Sequence, residues 1–442
     1  MNEATREFIL RHREDDVRRL ALKGAGRADV DMPLALQQIA GWQTARKKLP
    51  TWAAVDGILY PPHLNMEQCS SEQTARYKAR IAARPPLNPP EEGLAEGDWG
   101  LVDLTGGFGV DFYFMAHGAN RPSLYVEQNP ELCEIARHNF QVLGLECSVV
   151  CGTAADVLQR IGHAACIYLD PARRDEHGGR TYALEDCTPN VLELLPLLCQ
   201  KADRIIIKLS PMLDWHCLDL NVNVNDNVNL NANVNVNVNL NLNANLNANA
   251  NLNANANLGD ISREVHIVSV GNECKELLMV LGVVEPPPVG GGWSGLFCVN
   301  DDQVWQVPQR KASPSRGRLE GALYLYEPNA SIMKAGCFDE LADYYQVGEL
   351  SANSHLFVSD RLVSDFPGRS FRIERTTSLN KKELKQALQD IDRANISVRN
   401  FPMSVEALRQ RLRLKDGGDV YIFATTTADG SRQLFICRKI AK

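Results

Sequence analysis

The segment Val102-Asp103-Leu104-Thr105-Gly106-Gly107-Phe108-Gly109-Val110-Asp111 sets an acid and closely spaced glycines directly after a β-type run. A sharp strand-to-helix turn needs residues without a Cβ, and Gly107 and Gly109 would let the backbone approach a ligand closely. A dinucleotide fingerprint would need a small residue three positions after Gly109, where Phe112 stands, so the pattern reads D-x-x-x-G-x-G. A turn serving structure alone is the plainer alternative. Eighteen positions past Gly109, Tyr125-Val126-Glu127 closes the next β-type run with a carboxylate whose two accepting oxygens suit a ribose diol. Asp170-Pro171-Ala172-Arg173-Arg174 places an acid at a rigid strand exit beside two guanidinium groups, which could grip a phosphate or pair with nearby acids. Lys208, Ser210 and Asp214 follow a further β-type run.

The elements that position these groups are short apolar runs at 101–104, 123–126, 148–150, 166–169, 204–207 and 265–268, alternating with helical patterns such as 130–143 and 191–199. Strands alternating with helices imply βαβ units and a mostly parallel sheet. In such a sheet the carboxyl ends of the strands share one edge, where ligands bind. Residues 1–84 carry helical spacing, with Ser70 or Ser71 a candidate cap for a helix that follows. Pro85-Pro86-Leu87-Asn88-Pro89-Pro90 breaks that pattern, and a run from Pro286 to Gly292 marks a second boundary.

At 442 residues, roughly 150 per domain predicts about three domains. The 44% hydrophobic and 23% charged composition excludes wholesale disorder, collagen and a membrane-embedded body. The net charge of −7 is unevenly spread: residues 361–442 hold 17 Lys and Arg against 9 Asp and Glu, a local +8 that leaves −15 for the rest. Such asymmetry points to an acidic body with a basic terminal module. Twelve cysteines without a C-x-x-C pair indicate neither a zinc knuckle nor a disulfide framework, so no metal is expected. Early charges leave no signal-peptide core, and no run of about 18 apolar residues follows; no membrane partner is expected, and the reading is cytoplasmic. From Asn221 to Asn257 every odd position is Asn, and the even ones are Val, Leu or Ala apart from Asp226. This reads as a low-complexity surface insertion, the alternative being an ordered Asn ladder.

The glycine turn and Glu127 together resemble the class I S-adenosylmethionine-dependent methyltransferases. That resemblance implies a Rossmann-like α/β domain, S-adenosylmethionine as cofactor, and Asp103, Thr105, Gly107, Gly109 and Glu127 lining it. The acid that often contacts adenine just after the third-strand glycine is replaced by Thr153, with Asp156 the candidate substitute. Asp170 would face the transferred methyl, with Pro171 and Arg173 completing the catalytic set, although the second proline and the aromatic of base-amine methyltransferases are missing. Ser70-Ser71-Glu72 with Tyr77-Lys78, Asp-Pro-Ala-Arg-Arg, Tyr326-Glu327-Pro328-Asn329-Ala330 and Arg399-Asn400-Phe401-Pro402 narrow the likeness to bacterial methyltransferase-like proteins with a ferredoxin-like segment and a C-terminal THUMP-like domain. The organisation implied is a helical N-terminal region over 1–99, the methyltransferase domain over 100–285, a ferredoxin-like α+β segment over 293–368 and a basic THUMP-like domain over 369–442. The partner implied is RNA, either tRNA or rRNA, with Arg369, Arg372, Arg375, Lys381, Lys382, Lys385, Arg409, Arg411 and Arg413 as candidate phosphate contacts. The alternatives are a non-catalytic RNA-binding adaptor and a methyltransferase acting on protein or small molecules. Oligomeric state is not readable.

Overall fold

A computed structural model of the chain describes residues 1–23, 28–84, 98–117, 122–173, 187–218, 261–283, 295–308 and 321–441. The Asn-x run, both proline-rich segments and Arg174 lie outside the described residues. By its internal contacts the chain forms two units, Met1–Val265 with Glu276–Ser294, and His266–Lys275 with Gly295–Lys442.

The first unit opens with α1 (Glu3–His12), α2 (Val17–Lys23), α3 (Met32–Lys48), α4 (Pro50–Ala53), α5 (His63–Gln68) and α6 (Glu72–Ala82). Short polar side chains fix three of the starts: Asn2 accepts from the Thr5 N–H, Asp31 from that of Leu34 and Ser71 from that of Thr74. Ser71 is therefore the cap of α6, and Ser70 is buried. The helices expected as an N-terminal region are built onto the sheet that follows. Trp52 meets Phe108 and Tyr113 edge-on, at 5.0 and 5.5 Å, and the Asn139 side chain makes two hydrogen bonds to the Leu59 backbone.

That sheet contains β1 (Leu101–Asp103), β2 (Ser123–Glu127), β3 (Ser148–Cys151), β4 (Ala164–Leu169), β5 (Ala202–Leu209), β6 (Ile261–Val270) and β7 (Glu273–Val283), in the order β3-β2-β1-β4-β5-β7-β6. The first five run parallel, with Leu101 beside Ser123, Val102 beside Ile167, Leu124 beside Ser148 and Leu169 beside Ile207. β7 joins β5 antiparallel, Ile206 beside Val280. Helices α7 (Val110–Ala116), α8 (Pro130–Val142) and α10 (Val191–Lys201) each return the chain to a parallel neighbour, while α9 (Ala154–Arg160) carries it from β3 across to β4 beside β1. β1, β4 and β5 are buried along most of their length, which explains their near-continuous apolar runs. The far end of the β6–β7 hairpin, His266–Lys275, groups with the second unit.

The second unit adds the antiparallel hairpin β8 (Gly295–Asn300) and β9 (Gln303–Gln306). It continues with β10 (Tyr324–Pro328), α11 (Ala330–Ala335), α12 (Phe338–Tyr345), β11 (Gly348–Glu349), β12 (Phe357–Ser359) and β13 (Gly368–Ser378). It ends with α13 (Lys381–Ala387), β14 (Asn395–Arg399), α14 (Val405–Leu412), β15 (Val420–Thr426) and β16 (Arg432–Lys439). Seven of these strands form one sheet, ordered β11-β12-β10-β13-β16-β15-β14. The pairing of Leu325 with Phe371 thus joins the segments on either side of residue 368 within one sheet. Strand alternation sends Ile422, Ala424, Leu434 and Ile436 to a core with Leu408 and Leu412 of α14, and Phe423, Phe435 and Cys437 to a second core with Leu325 and Phe371. Among the described residues no helix is long and apolar enough to cross a membrane.

Candidate active site

The carboxyl ends of β1, β2, β4 and β5 bring most of the expected residues together. The glycine turn is bound to β2 at several points. Gly106 N–H donates to Val126 O at 2.8 Å, the Tyr125 hydroxyl donates to Gly107 O at 2.5 Å, and Gly107 N–H donates to Glu127 Oε2 at 2.8 Å. Gly107 and Gly109 both hold left-handed backbone, at φ +56° and +85°, and Gly109 caps α7. A Cβ on Gly109 would come within 2.7 Å of the Phe140 ring, and one on Gly106 within 2.1 Å of Tyr125. Gly106, which the D-x-x-x-G-x-G pattern does not single out, is therefore demanded by packing as Gly109 is.

Asp103 is 1% exposed at the end of β1. Its Oδ1 accepts from the Thr105 N–H at 2.9 Å, while its Oδ2 is buried with no hydrogen-bond partner. Burial pushes its carboxyl well above the usual carboxylate range; the Thr105 N–H opposes the rise, and the charges of Asp111, Asp170 and Glu127 add to it. Glu127 also takes the Asn129 N–H on Oε1 at 2.8 Å, and a carboxylate retains lone pairs for a further donor. An orphaned buried acceptor, an open glycine turn and a carboxylate at the end of β2 fit a ligand that carries a cationic end and a diol.

On the facing side, the Thr105 hydroxyl accepts the Asp170 N–H at 2.6 Å, tying the glycine turn to the exit of β4. Leu169 is in register with Ile207, so the next residues, Asp170 and Lys208, fall side by side. Lys208 Nζ reaches Asp170 Oδ2 at 2.5 Å. Burial alone would lower the Lys208 pKa, but Asp170, Asp111 and Glu276 together raise it, so the ammonium stays charged. Pro171 is buried. The backbone of Arg173 pairs with Cys187 in a two-residue ladder, and its side chain lies outside the described residues. Asp156 is exposed and engaged in the cap of α9: it accepts from the Thr153 hydroxyl at 2.7 Å and its N–H donates back to that oxygen at 3.2 Å.

A buried charged cluster beneath this edge was not legible in the sequence. Lys78 of α6, fully buried, reaches both Glu276 oxygens at 2.8 Å, Asp111 Oδ1 at 3.1 Å and the Ser70 hydroxyl at 2.9 Å. The Ser70 and Tyr168 hydroxyls each donate to Asp111 Oδ2 at 2.7 Å. Burial works to raise the Asp111 pKa, but Lys78, Lys208 and the two hydroxyls hold it below the ordinary value.

In the second unit, several candidate phosphate contacts are already engaged. Glu327 is buried and holds both Arg369 and Arg399. Arg375 forms a two-point ion pair with Asp390 at 2.5 and 2.6 Å. Arg409 is bound to Asp416 and to the carbonyls of Ala394 and Lys415, and Arg411 reaches only Leu379 O, at 3.5 Å. Arg372, Lys381, Lys382, Lys385 and Arg413 are exposed, and none is in an ion pair among the described residues.

Parallel strands in this order with an antiparallel partner for β5, a glycine turn after the first strand and an acid ending the second make up the fold of the class I S-adenosylmethionine-dependent methyltransferases. Comparison with known proteins agrees. Residues 368–439 match the family model for a THUMP domain-like region, and residues 324–367 that for a ferredoxin-like domain. The chain is similar to a crystallised protein of Porphyromonas gingivalis W83 assigned as a methyltransferase, at 28% identity and a TM-score of 0.74 over 99% of this chain and 98% of that one. It is also 23% identical, over 317 residues, to uncharacterized S-adenosylmethionine-dependent methyltransferases of two Mycobacterium tuberculosis strains, spanning 70% of this chain and 74% of theirs.

Proposed function

We propose that this protein transfers the methyl group of S-adenosylmethionine to RNA, with tRNA or rRNA as substrate. The observation that carries this reading is a methyltransferase crevice in one unit of a chain whose other unit holds a THUMP-like segment with exposed, unpaired cations on α13. When bound, the cofactor supplies an activated methyl on a sulfonium. Asp103, Thr105, Gly107, Gly109 and Glu127 would hold it: Glu127 would accept from the ribose hydroxyls, the glycine turn would allow close approach, and the Asp103 carboxyl would offset the cationic end. Asp170, fixed by Lys208 and Thr105, would present its partly exposed carboxylate to the acceptor, with Pro171 stiffening the exit from β4 and Arg173 following in sequence. Methyl transfer depends chiefly on holding the acceptor in line with the methyl, so positioning outweighs acid-base chemistry.

Nucleoside mass spectrometry on total RNA from cells with and without the gene tests the substrate. Loss of one methylated nucleoside supports RNA, whereas an unchanged profile moves the substrate to protein or a small molecule. Calorimetry with S-adenosylmethionine tests the site. Gly107→Asp adds a charge and a side chain at positive φ and should abolish the binding seen with the unaltered protein.

A further inference from the structure

The second unit contains a cleft of about 840 Å³ between β9, the end of α12 and residues 364–365, lined by none of the residues assigned to methyl transfer. Trp305, Tyr344 and Tyr345 form its aromatic wall: Tyr344 meets Tyr345 edge-on at 4.9 Å and Trp305 at 6.1 Å. Tyr344 is 54% exposed, and the buried Trp305 N–H has no acceptor among the described residues. Gln303 anchors β9 to the opposite wall through hydrogen bonds from its amide to the carbonyls of Phe366 and Asp365. Among the described residues that line it there is no lysine or arginine, and the one charged residue is Asp365.

Those features select among ligands. Among the described lining residues a phosphate or other anion would meet Asp365 and no cation. An aliphatic ligand would leave the carboxylate, the glutamines and the indole N–H unmatched, at the cost that unpaired buried polar groups carry. A flat aromatic group whose edge bears N–H donors matches both the ring wall and the acidic rim, and its volume is well within that of the cleft. Single-stranded RNA is recognised by stacking splayed bases on aromatic side chains and hydrogen-bonding their edges. We propose that this cleft takes one unpaired nucleobase of the RNA substrate, stacked against Tyr344 and read at its amino edge by Asp365. The proposal rests on the RNA reading of function and adds a second point of contact to the phosphate-binding cations.

The test uses the full-length protein with two probes of equal length and charge, a single-stranded oligoribonucleotide and the same strand made abasic. The unaltered protein should bind the base-bearing strand more tightly, and Tyr344→Ala should weaken that strand by on the order of tenfold while leaving the abasic one unchanged. Since stacking releases no counterions, the deficit should persist as salt is raised. Asp365→Asn, an exposed-rim change, should alter preference among bases more than overall affinity. Equal binding of both strands by the unaltered protein, or an unchanged affinity in Tyr344→Ala, would overturn the cleft as a base site and leave RNA as substrate untouched. No RNA binding at any salt would overturn both.

Discussion

Asp103 combines two facts that rarely persist without a use: a buried oxygen with no partner and a carboxyl whose pKa is driven upward by burial. In the unfolded chain this acid ionises near about pH 4, whereas in the folded protein it keeps its proton to higher pH, so its burial erodes stability as pH climbs through that interval. A cationic group brought against Asp103 favours the carboxylate and expels the proton. Cofactor binding should therefore release protons and tighten as pH rises. Calorimetry in buffers of different ionisation heat reads this directly, and Asp103→Asn should remove the buffer dependence; a buffer-independent heat in the unaltered protein would place the cofactor's charge elsewhere. Across the crevice, Lys208 is paired with Asp170, and under the proposed function it would position that carboxylate. Lys208→Met should leave cofactor affinity in place and cut turnover by roughly 10²-fold, the scale of a misplaced reacting group, with Lys208→Arg recovering part of it. A loss confined to cofactor affinity would count against this assignment.

The elements show why some of the site was legible in sequence and some was not. Strand-by-strand alternation and the glycine turn are local patterns, so β1 to β5 and the placement of Asp103, Gly107, Glu127 and Asp170 at their ends could be read from short windows. The register that sets Lys208 beside Asp170 needs the pairing of β4 with β5, and the contact of Lys78 with Glu276 closes over 198 positions. No local window contains that information. Asp156 shows the converse: a residue that stands where a ligand contact was expected is engaged in a helix cap. The Lys78 cluster also makes α6 part of the methyltransferase unit. Removing one partner of a buried ion pair strands the others, so Lys78→Met should lose about 3–5 kcal/mol, and pairing it with Glu276→Leu should return some of that loss. Urea unfolding of the single and double variants measures it; a single variant as stable as the parent would show that α6 only leans on the sheet.

For the whole molecule, the mild total of −7 conceals a division of labour, and the structure refines what the count could not. Of the basic residues that make the last 82 positions +8, Arg369 and Arg399 are held by Glu327, Arg375 by Asp390, Arg409 by Asp416 and Arg438 by Glu374. Composition gives the sign of the field but not which charges remain available to a phosphate. Lys381, Lys382 and Lys385 lie within one short helix, exposed and without ion-pair partners among the described residues, which makes α13 the strongest free cationic element among those residues of the second unit. Each phosphate contact removed from a single strand flattens the dependence of log affinity on log salt by about 0.7. Replacing all three lysines with glutamate should therefore weaken RNA binding at low salt, reduce the slope by about two, and raise KM for an RNA substrate with little change in kcat, because these residues are distant in sequence from the groups that orient the methyl transfer. Binding isotherms over a salt series, set beside steady-state methylation, separate the two effects. An unchanged slope would take α13 out of the RNA interface and leave Arg372, Arg411 and Arg413 as the remaining candidates without an ion pair among the described residues.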